Sequence, residues 1–258
     1  MKSIGFVGEM DKTGMLLCVG KMLSSLGSKV MLVDATRTQK TRYVIPLIME
    51  NETQEQYITQ HDGLDVAVGF GNILELKKHL LSKGEDFSEY EYILIDSDVE
   101  EMCEEYDIKS ANKLFFVTTF DKMQLAKGID LLRFICASKR REDPNGTINI
   151  EKVLAYTQTS IKTVDNRYIE RLTENLPINW SDSKIVTSYD EGDLSAYIQN
   201  QYRNKIEFRD ITPQTKLGIL EIVYEITGED KNRLKKVLKS IEKNARFIGW
   251  KESNLRCQ

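Results

Sequence analysis

The segment Val7-Gly8-Glu9-Met10-Asp11-Lys12-Thr13-Gly14 decides how the rest of the sequence is interpreted. It follows the apolar run Ser3–Val7 and precedes Met15–Leu26, whose apolar residues have helical spacing. In a strand–loop–helix unit, backbone N–H groups and the helix N-terminus can face an anion. A lysine there reaches phosphate oxygens, and a neighbouring hydroxyl ligates Mg²⁺. The residues that we predict to contact a nucleotide in this loop are Gly8, Glu9, Met10, Asp11, Lys12, Thr13 and Gly14.

Two acidic residues farther along the chain strengthen this interpretation. A Lys-Thr pair alone is also typical of an ordinary helix start with a solvated lysine. Here, however, Leu32-Val33-Asp34 ends one apolar run in an acid, and Tyr92–Asp96 ends another in the Walker B pattern. Such an aspartate can hold a magnesium-bound water beside phosphates. We therefore predict that Thr13, Asp34 and Asp96 contact Mg²⁺ if ATP or ADP binds.

Short apolar runs alternate with segments of helical spacing along most of the chain. The runs that predict strands are Ser3–Val7, Lys29–Val33, Leu64–Val68, Tyr92–Ile95, Lys113–Thr118, Lys152–Tyr156 and Lys184–Val186. The segments that predict helices are Met15–Leu26, Ile73–Leu81 and Met123–Ala137. Most runs are continuous, which is typical of strands covered on both faces. We predict an α/β fold, with a mainly parallel sheet and helices on both faces in residues 1–228.

Composition narrows the class of protein. The chain has 258 residues and a formal net charge of −4, which argues against extensive nucleic-acid binding, so we expect no DNA partner. Its start lacks the pattern of a signal peptide, and no run approaches the ~18 apolar residues of a membrane span. The four cysteines form no CxxC pair. We expect a cytoplasmic protein.

Several segments, in the right order, resemble the deviant Walker A ATPases: ParA, MinD and their relatives in pilus and flagellar positioning. They are Gly27–Asp34, Glu89–Asp96, Leu114–Thr119 followed by Gln124-Leu125, and Asn175–Pro177. The resemblance covers roughly Ser3 to Ile226. It implies a P-loop NTPase fold, ATP or ADP with Mg²⁺, a homodimer, protein partners in a larger assembly, and Pro177 near the nucleotide. The pilus factors of the TadZ/CpaE type are the subgroup in which a degraded loop is familiar.

The sequence departs from the family pattern both inside the loop and beyond it. Val7 stands where the family has the lysine that reaches across the dimer interface, and Thr36 stands where it has a second acid tied to water activation. Asp11 replaces a glycine and brings a carboxylate toward a triphosphate. Like charges ~4–6 Å apart cost on the order of 2–4 kcal/mol, or about one to three decades in affinity. The departures predict weak nucleotide binding with little or no hydrolysis.

Two basic segments are candidate interaction surfaces. Arg37, Lys40 and Arg42 lie beyond a strand's carboxyl end, where ligands of open α/β sheets bind. Residues 229–258, a predicted amphipathic helix and tail, carry nine Lys/Arg and four Asp/Glu, a balance of 9 − 4 = +5. The residues that we predict to meet an acidic partner or the inner face of a membrane are Lys235, Lys236, Lys239 and Trp250. The alternative is a final helix that packs its apolar stripe on the domain and leaves its lysines in solvent.

Three hypotheses about function follow. The first is a degenerate ParA/MinD-like protein that positions or assembles a larger machine, such as a pilus, while binding nucleotide weakly. The second is an active ATPase switch for DNA partitioning or cell polarity. The third is an interaction module without nucleotide, in which Glu9 and Asp11 fill the phosphate site and Lys12 pairs with an acid such as Asp96.

Overall fold

A sheet of mostly parallel strands runs through the molecule. The structure is a computed structural model that describes residues 1–46, 55–156, 165–183, 185–188 and 190–255, with side chains except at 156, 166 and 244–255. The strands are β1 (Lys2–Val7), β2 (Val30–Ala35), β3 (Tyr57–His61), β4 (Leu64–Val68), β5 (Tyr92–Ser97), β6 (Lys113–Thr118), β7 (Ile148–Tyr156), β8 (Ile178–Trp180) and β9 (Ile185–Ser188). Their order is β3-β4-β2-β5-β1-β6-β7-β8, and β9 also pairs with β7. Among the described strand pairs only β3 and β4 are antiparallel.

Helices cover both faces of this sheet, as predicted. They are α1 (Thr13–Ser25), α2 (Thr41–Val44), α3 (Ile73–Ser82), α4 (Glu100–Glu105), α5 (Lys122–Glu142), α6 (Asn166–Leu172), α7 (Glu191–Arg203), α8 (Pro213–Thr227) and α9 (Lys231–Leu255). One apolar cluster joins the sheet to α1, α7, α8 and α9, and a second joins it to α3, α4, α5 and α6. Successive residues of a strand point to opposite faces, so an apolar run supplies both clusters. Val30 and Leu32 enter the first, and Met31 and Val33 enter the second.

The apolar runs located most of the central strands. Leu64–Val68 and Lys113–Thr118 agree with the observed bounds, whereas β7 begins four residues before the predicted Lys152. Lys184 of the predicted run Lys184–Val186 lies outside the described residues, and β9 begins at Ile185. The sequence pattern did not predict the edge strand β3, the three-residue β8, or the helices α2, α6, α7 and α8.

The C-terminal helix packs on the domain in the part whose side chains are described. Leu234, Leu238 and Ile241 are buried in the same cluster as α8. Lys235, Lys236 and Lys239 are exposed. This agrees with the packing alternative, and Trp250 lies outside the residues whose side chains are described. None of the described helices is both long and apolar enough to span a membrane.

Candidate functional site

The predicted phosphate loop lies at the carboxyl end of β1, directly before α1. Gly8 leaves the strand with φ +139°, a conformation that L side chains rarely adopt. A Cβ on Gly8 would lie 2.0 Å from the Val117 carbonyl oxygen of the neighbouring strand β6. The Gly8 amide donates to the Ser97 carbonyl of β5 at 3.3 Å. The loop thus leaves the sheet between two strands, and only glycine fits there.

Lys12 turns into the protein. Its side chain is 1% exposed, and its Nζ lies 2.9 Å from Oδ1 of Asp96, the acid that ends the Walker B strand. The same ammonium donates to the carbonyl of Gly8 at 2.6 Å and to that of Met10 at 3.2 Å. The lysine is therefore engaged by three oxygen atoms of the chain itself.

Burial also controls the charge of Asp96. It raises the pKa of this carboxyl to about 7, although the Lys12 ammonium opposes the shift. Asp34, its registered neighbour on β2, raises the pKa further because it adds a second negative charge. The site thus contains two buried acidic side chains beside one buried ammonium, and Asp96 is only partly ionised near neutral pH.

Asp34 fixes the segment that follows β2. Its Oδ1 accepts from the Thr36 amide at 3.1 Å and the Thr36 hydroxyl at 2.6 Å, and its Oδ2 accepts from the Thr41 amide at 2.8 Å. Thr36, which stands where the family has a second acid, therefore serves to bind Asp34.

The predicted magnesium ligands do not fit a metal site in this arrangement. The carboxylate of Asp34 accepts from the backbone, and that of Asp96 faces Lys12. Mg²⁺ takes near-octahedral oxygen ligands and is usually held by one or two carboxylates together with substrate phosphates, and no group of three or more Asp, Glu, His or Cys side chains among the described residues offers it a site built by the protein alone.

The two acids of the loop are each paired with a lysine. Oδ1 of Asp11 accepts from the Thr13 amide, at the first residue of α1, at 3.0 Å. Its Oδ2 forms an ion pair with Lys40. Glu9 pairs with Lys127 of α5 at 2.7 Å. Burial raises the pKa of Asp11, but the contacts with Lys40 and Thr13 outweigh it, so the pKa lies below its usual value.

An aromatic ring that the sequence analysis missed covers the start of α1. A Cβ on Gly14 would lie 2.5 Å from Cγ of Tyr197 on α7. Thr13 is buried, and a small pocket beside it is lined by Tyr197, Leu17 and His61 among others. The space beside Gly14, where we predicted a nucleotide contact, is thus filled by Tyr197 of the chain itself. A contact across more than 180 residues leaves no local signal in the sequence.

The structure corrects one predicted site residue. Pro177 lies immediately before β8, which runs parallel to β7, and its carbonyl accepts from the amide of Ile148, the first residue of β7. It therefore lies at the amino end of the parallel strands, whereas the phosphate loop lies at their carboxyl end. The prediction that Pro177 contacts a nucleotide is wrong, because a Leu-Pro pair carries no information about which edge of the sheet it reaches.

The basic segment after β2 lies at the predicted edge of the sheet. The Arg37 amide donates to Asp98 at 2.8 Å, and the Arg42 guanidinium donates to the Glu55 carbonyl. Arg37 and Arg42 line an open cleft of about 620 Å³, together with residues after β4 and β5. Lys40 points instead to the phosphate loop, through Asp11.

Comparison with known proteins gives matches only among solved structures. No protein-family model matches the chain, and no curated protein does. The MinC:MinD cell division protein complex of Aquifex aeolicus matches with TM-score 0.56 and 14% identity, over 89% of this chain and 97% of that one. The ATP complex of Cyanothece McdA matches with TM-score 0.55 and 14% identity, over 89% and 97%. A putative plasmid partition protein of Borrelia burgdorferi bound to AMPPNP matches with TM-score 0.52 and 16% identity, over 87% and 99%. These likenesses show a ParA/MinD-type P-loop fold.

Proposed function

Starting from the ParA/MinD-type P-loop fold, we propose that this chain positions or assembles a larger machine and hydrolyses little or no ATP. The observation that carries the proposal is the position of Lys12. Its ammonium lies 2.9 Å from Asp96 and donates to two carbonyls of its own loop. A phosphate could use this lysine only after the buried ion pair had separated.

Two further features support weak nucleotide binding without turnover. Asp11 carries a negative charge at the start of α1, where a phosphate would otherwise meet backbone N–H groups. Val7, which stands where the family has its trans-acting lysine, is fully buried in β1 and cannot reach another subunit. The loop therefore lacks the family's trans-acting lysine, one of the cations that would stabilise charge developing on a transferred phosphoryl group.

The similar proteins indicate how such a chain would work. The relatives named above include a MinC:MinD complex, an ATP complex of McdA and a plasmid partition protein with AMPPNP. By analogy we propose that this chain acts as a homodimer with protein partners, of which a pilus assembly is one candidate. The exposed Lys235, Lys236 and Lys239 of α9 offer such a partner, or the surface of an anionic membrane, an electrostatic contact.

Phosphate release by the full chain tests the proposal. We expect the wild-type chain with ATP and Mg²⁺ to release phosphate no faster than the double variant Lys12→Met/Asp96→Leu, which removes both charges of the buried pair. The same comparison is made with DNA and with anionic vesicles present. Wild-type turnover clearly above that of the double variant, under any of these conditions, would favour the active switch and refute the proposal.

A further inference from the structure

The contact between Asp11 and Lys40 joins the phosphate loop to the segment after β2. One carboxylate oxygen of Asp11 accepts from the Thr13 amide at 3.0 Å, and the other pairs with the Lys40 ammonium. A helix-start amide and a lysine ammonium are the two kinds of partner that phosphate oxygens take in loops of this type. The carboxylate thus makes, within the chain, the contacts of a bound anion.

Lys40 lies on a segment that side-chain hydrogen bonds hold against the sheet. Asp34 binds Thr36 and Thr41 on either side of it. Gln39, with φ +48°, donates through Nε2 to the carbonyls of Asp34 at 2.8 Å and Thr36 at 2.9 Å. Its Oε1 accepts from the Gly69 amide at 2.9 Å. These bonds hold the backbone that carries Lys40 against the carboxyl end of the sheet.

We infer that Asp11 is a built-in anion that occupies the phosphate position, and that Lys40 clasps it there as an autoinhibitory contact against nucleoside polyphosphates. The inference rests on the proposed function and names how the same site is kept closed. Glycine at this position would remove both the charge and the hydrogen bond that Asp11 accepts from the Thr13 amide. Because a like charge near a triphosphate weakens binding by about tenfold to a thousandfold, Asp11→Gly should strengthen ATP binding by at least about tenfold.

Calorimetric titration of the full chain with ATP and Mg²⁺ tests the closed site. We expect Asp11→Gly to bind more tightly than the wild type, and Asp11→Asn to gain less, because the amide keeps a side chain in the site. Asp230→Gly is the matched control. Asp230 accepts from amides two and three residues on, at the start of α9, as Asp11 accepts from an amide two residues on, at the start of α1, but Asp230 lies outside the site. Circular dichroism confirms folding, and Asp11→Asn remains informative if the glycine variant does not fold.

Hydrogen exchange of the Thr13 amide tests the role of Lys40 as a clasp. We expect Lys40→Ala to accelerate this exchange, because Asp11 is then held by one partner fewer. Lys29→Ala is the control, since Lys29 forms a comparably exposed ion pair, with Glu89 at 2.7 Å, away from the loop. If the Thr13 amide exchanged equally fast in Lys40→Ala and in the wild type, Lys40 would not hold Asp11 in place.

The inference and the proposed function fail on different results. Asp11 variants that bind ATP no better than the wild type overturn the built-in anion, whether or not the wild type turns ATP over. Wild-type phosphate release refutes the proposed function, whatever the Asp11 variants do.

Discussion

Replacing Lys12 should destabilise the protein even when no nucleotide is present. The side chains of Lys12 and Asp96 are 1% and 4% exposed, so Lys12→Met leaves a buried carboxylate without its countercharge. Removing one partner of a buried pair costs up to about 3–5 kcal/mol while the remaining charge stays desolvated, and less where that group takes up a proton, as Asp96 with its pKa of about 7 can do. A lysine that served only to hold a nucleotide would be replaced at little cost in the unliganded protein.

A double variant separates the cost of leaving Asp96 without its countercharge from the cost of losing the lysine side chain. Replacing both charges by apolar side chains of similar volume is often neutral, so Lys12→Met/Asp96→Leu should recover most of the lost stability. Lys29→Ala serves as the control, since its ion pair with Glu89 is exposed and should contribute about 0–1 kcal/mol.

Urea denaturation followed by far-UV circular dichroism measures these differences as shifts in the free energy of unfolding. The measurement is made at pH 8, above the pKa of about 7 for Asp96, so that the carboxyl is ionised in the wild type. A loss in Lys12→Met no larger than that in Lys29→Ala would refute the reasoning. So would a double variant as unstable as the single one.

Three further predictions concern the packing and titration of neighbouring groups. Gly14→Ala should lower the free energy of unfolding by about 1–3 kcal/mol, because its Cβ would lie 2.5 Å from Cγ of Tyr197. Adding Tyr197→Leu to this variant should recover part of that loss. A Gly14→Ala variant with the wild-type free energy of unfolding in urea would contradict the contact. Burial lowers the pKa of His61, although Asp62 opposes it, so the folded state binds this proton less readily than the unfolded chain. Stability should therefore fall as the pH drops below about 6.5, which NMR titration and denaturation of His61→Gln can check; an ordinary titration midpoint would contradict it. Leu234→Ala in α9 should cost about 2–5 kcal/mol, while Lys236→Glu should change stability by less than about 0.5 kcal/mol; similar losses in both would contradict the packing of α9.

Local pattern was sufficient for the central strands because buried parallel strands need continuous apolar runs. The edge strand β3 escaped because Gln60 and Thr59 interrupt it, even though Asp62-Gly63 is a strong hairpin signal and both residues have positive φ. The helix α8 was missed despite a Thr212 cap and a glycine, Gly228, at its end. Both elements therefore carry turn or cap signals in the sequence itself.

The candidate site was predictable only in part. The Lys12–Asp96 pair agrees with the third hypothesis, which anticipated an internal acid for this lysine. The pairing of Lys40 with Asp11 and the cover of Tyr197 over Gly14 depend on how α2 and α7 pack beside α1. Contacts of this kind arise from the tertiary fold, so spacing along the chain does not encode them.

The paired lysines of the site also affect how a solute approaches it. The pairs are Lys12 with Asp96, Lys40 with Asp11, and Lys127 with Glu9. Three positive and three negative charges sum to zero, so these pairs create little long-range potential. Clefts that capture anions quickly do so because an excess of positive charge focuses the field and steers diffusion. These three pairs should therefore add no net steering to encounters of this face with a triphosphate.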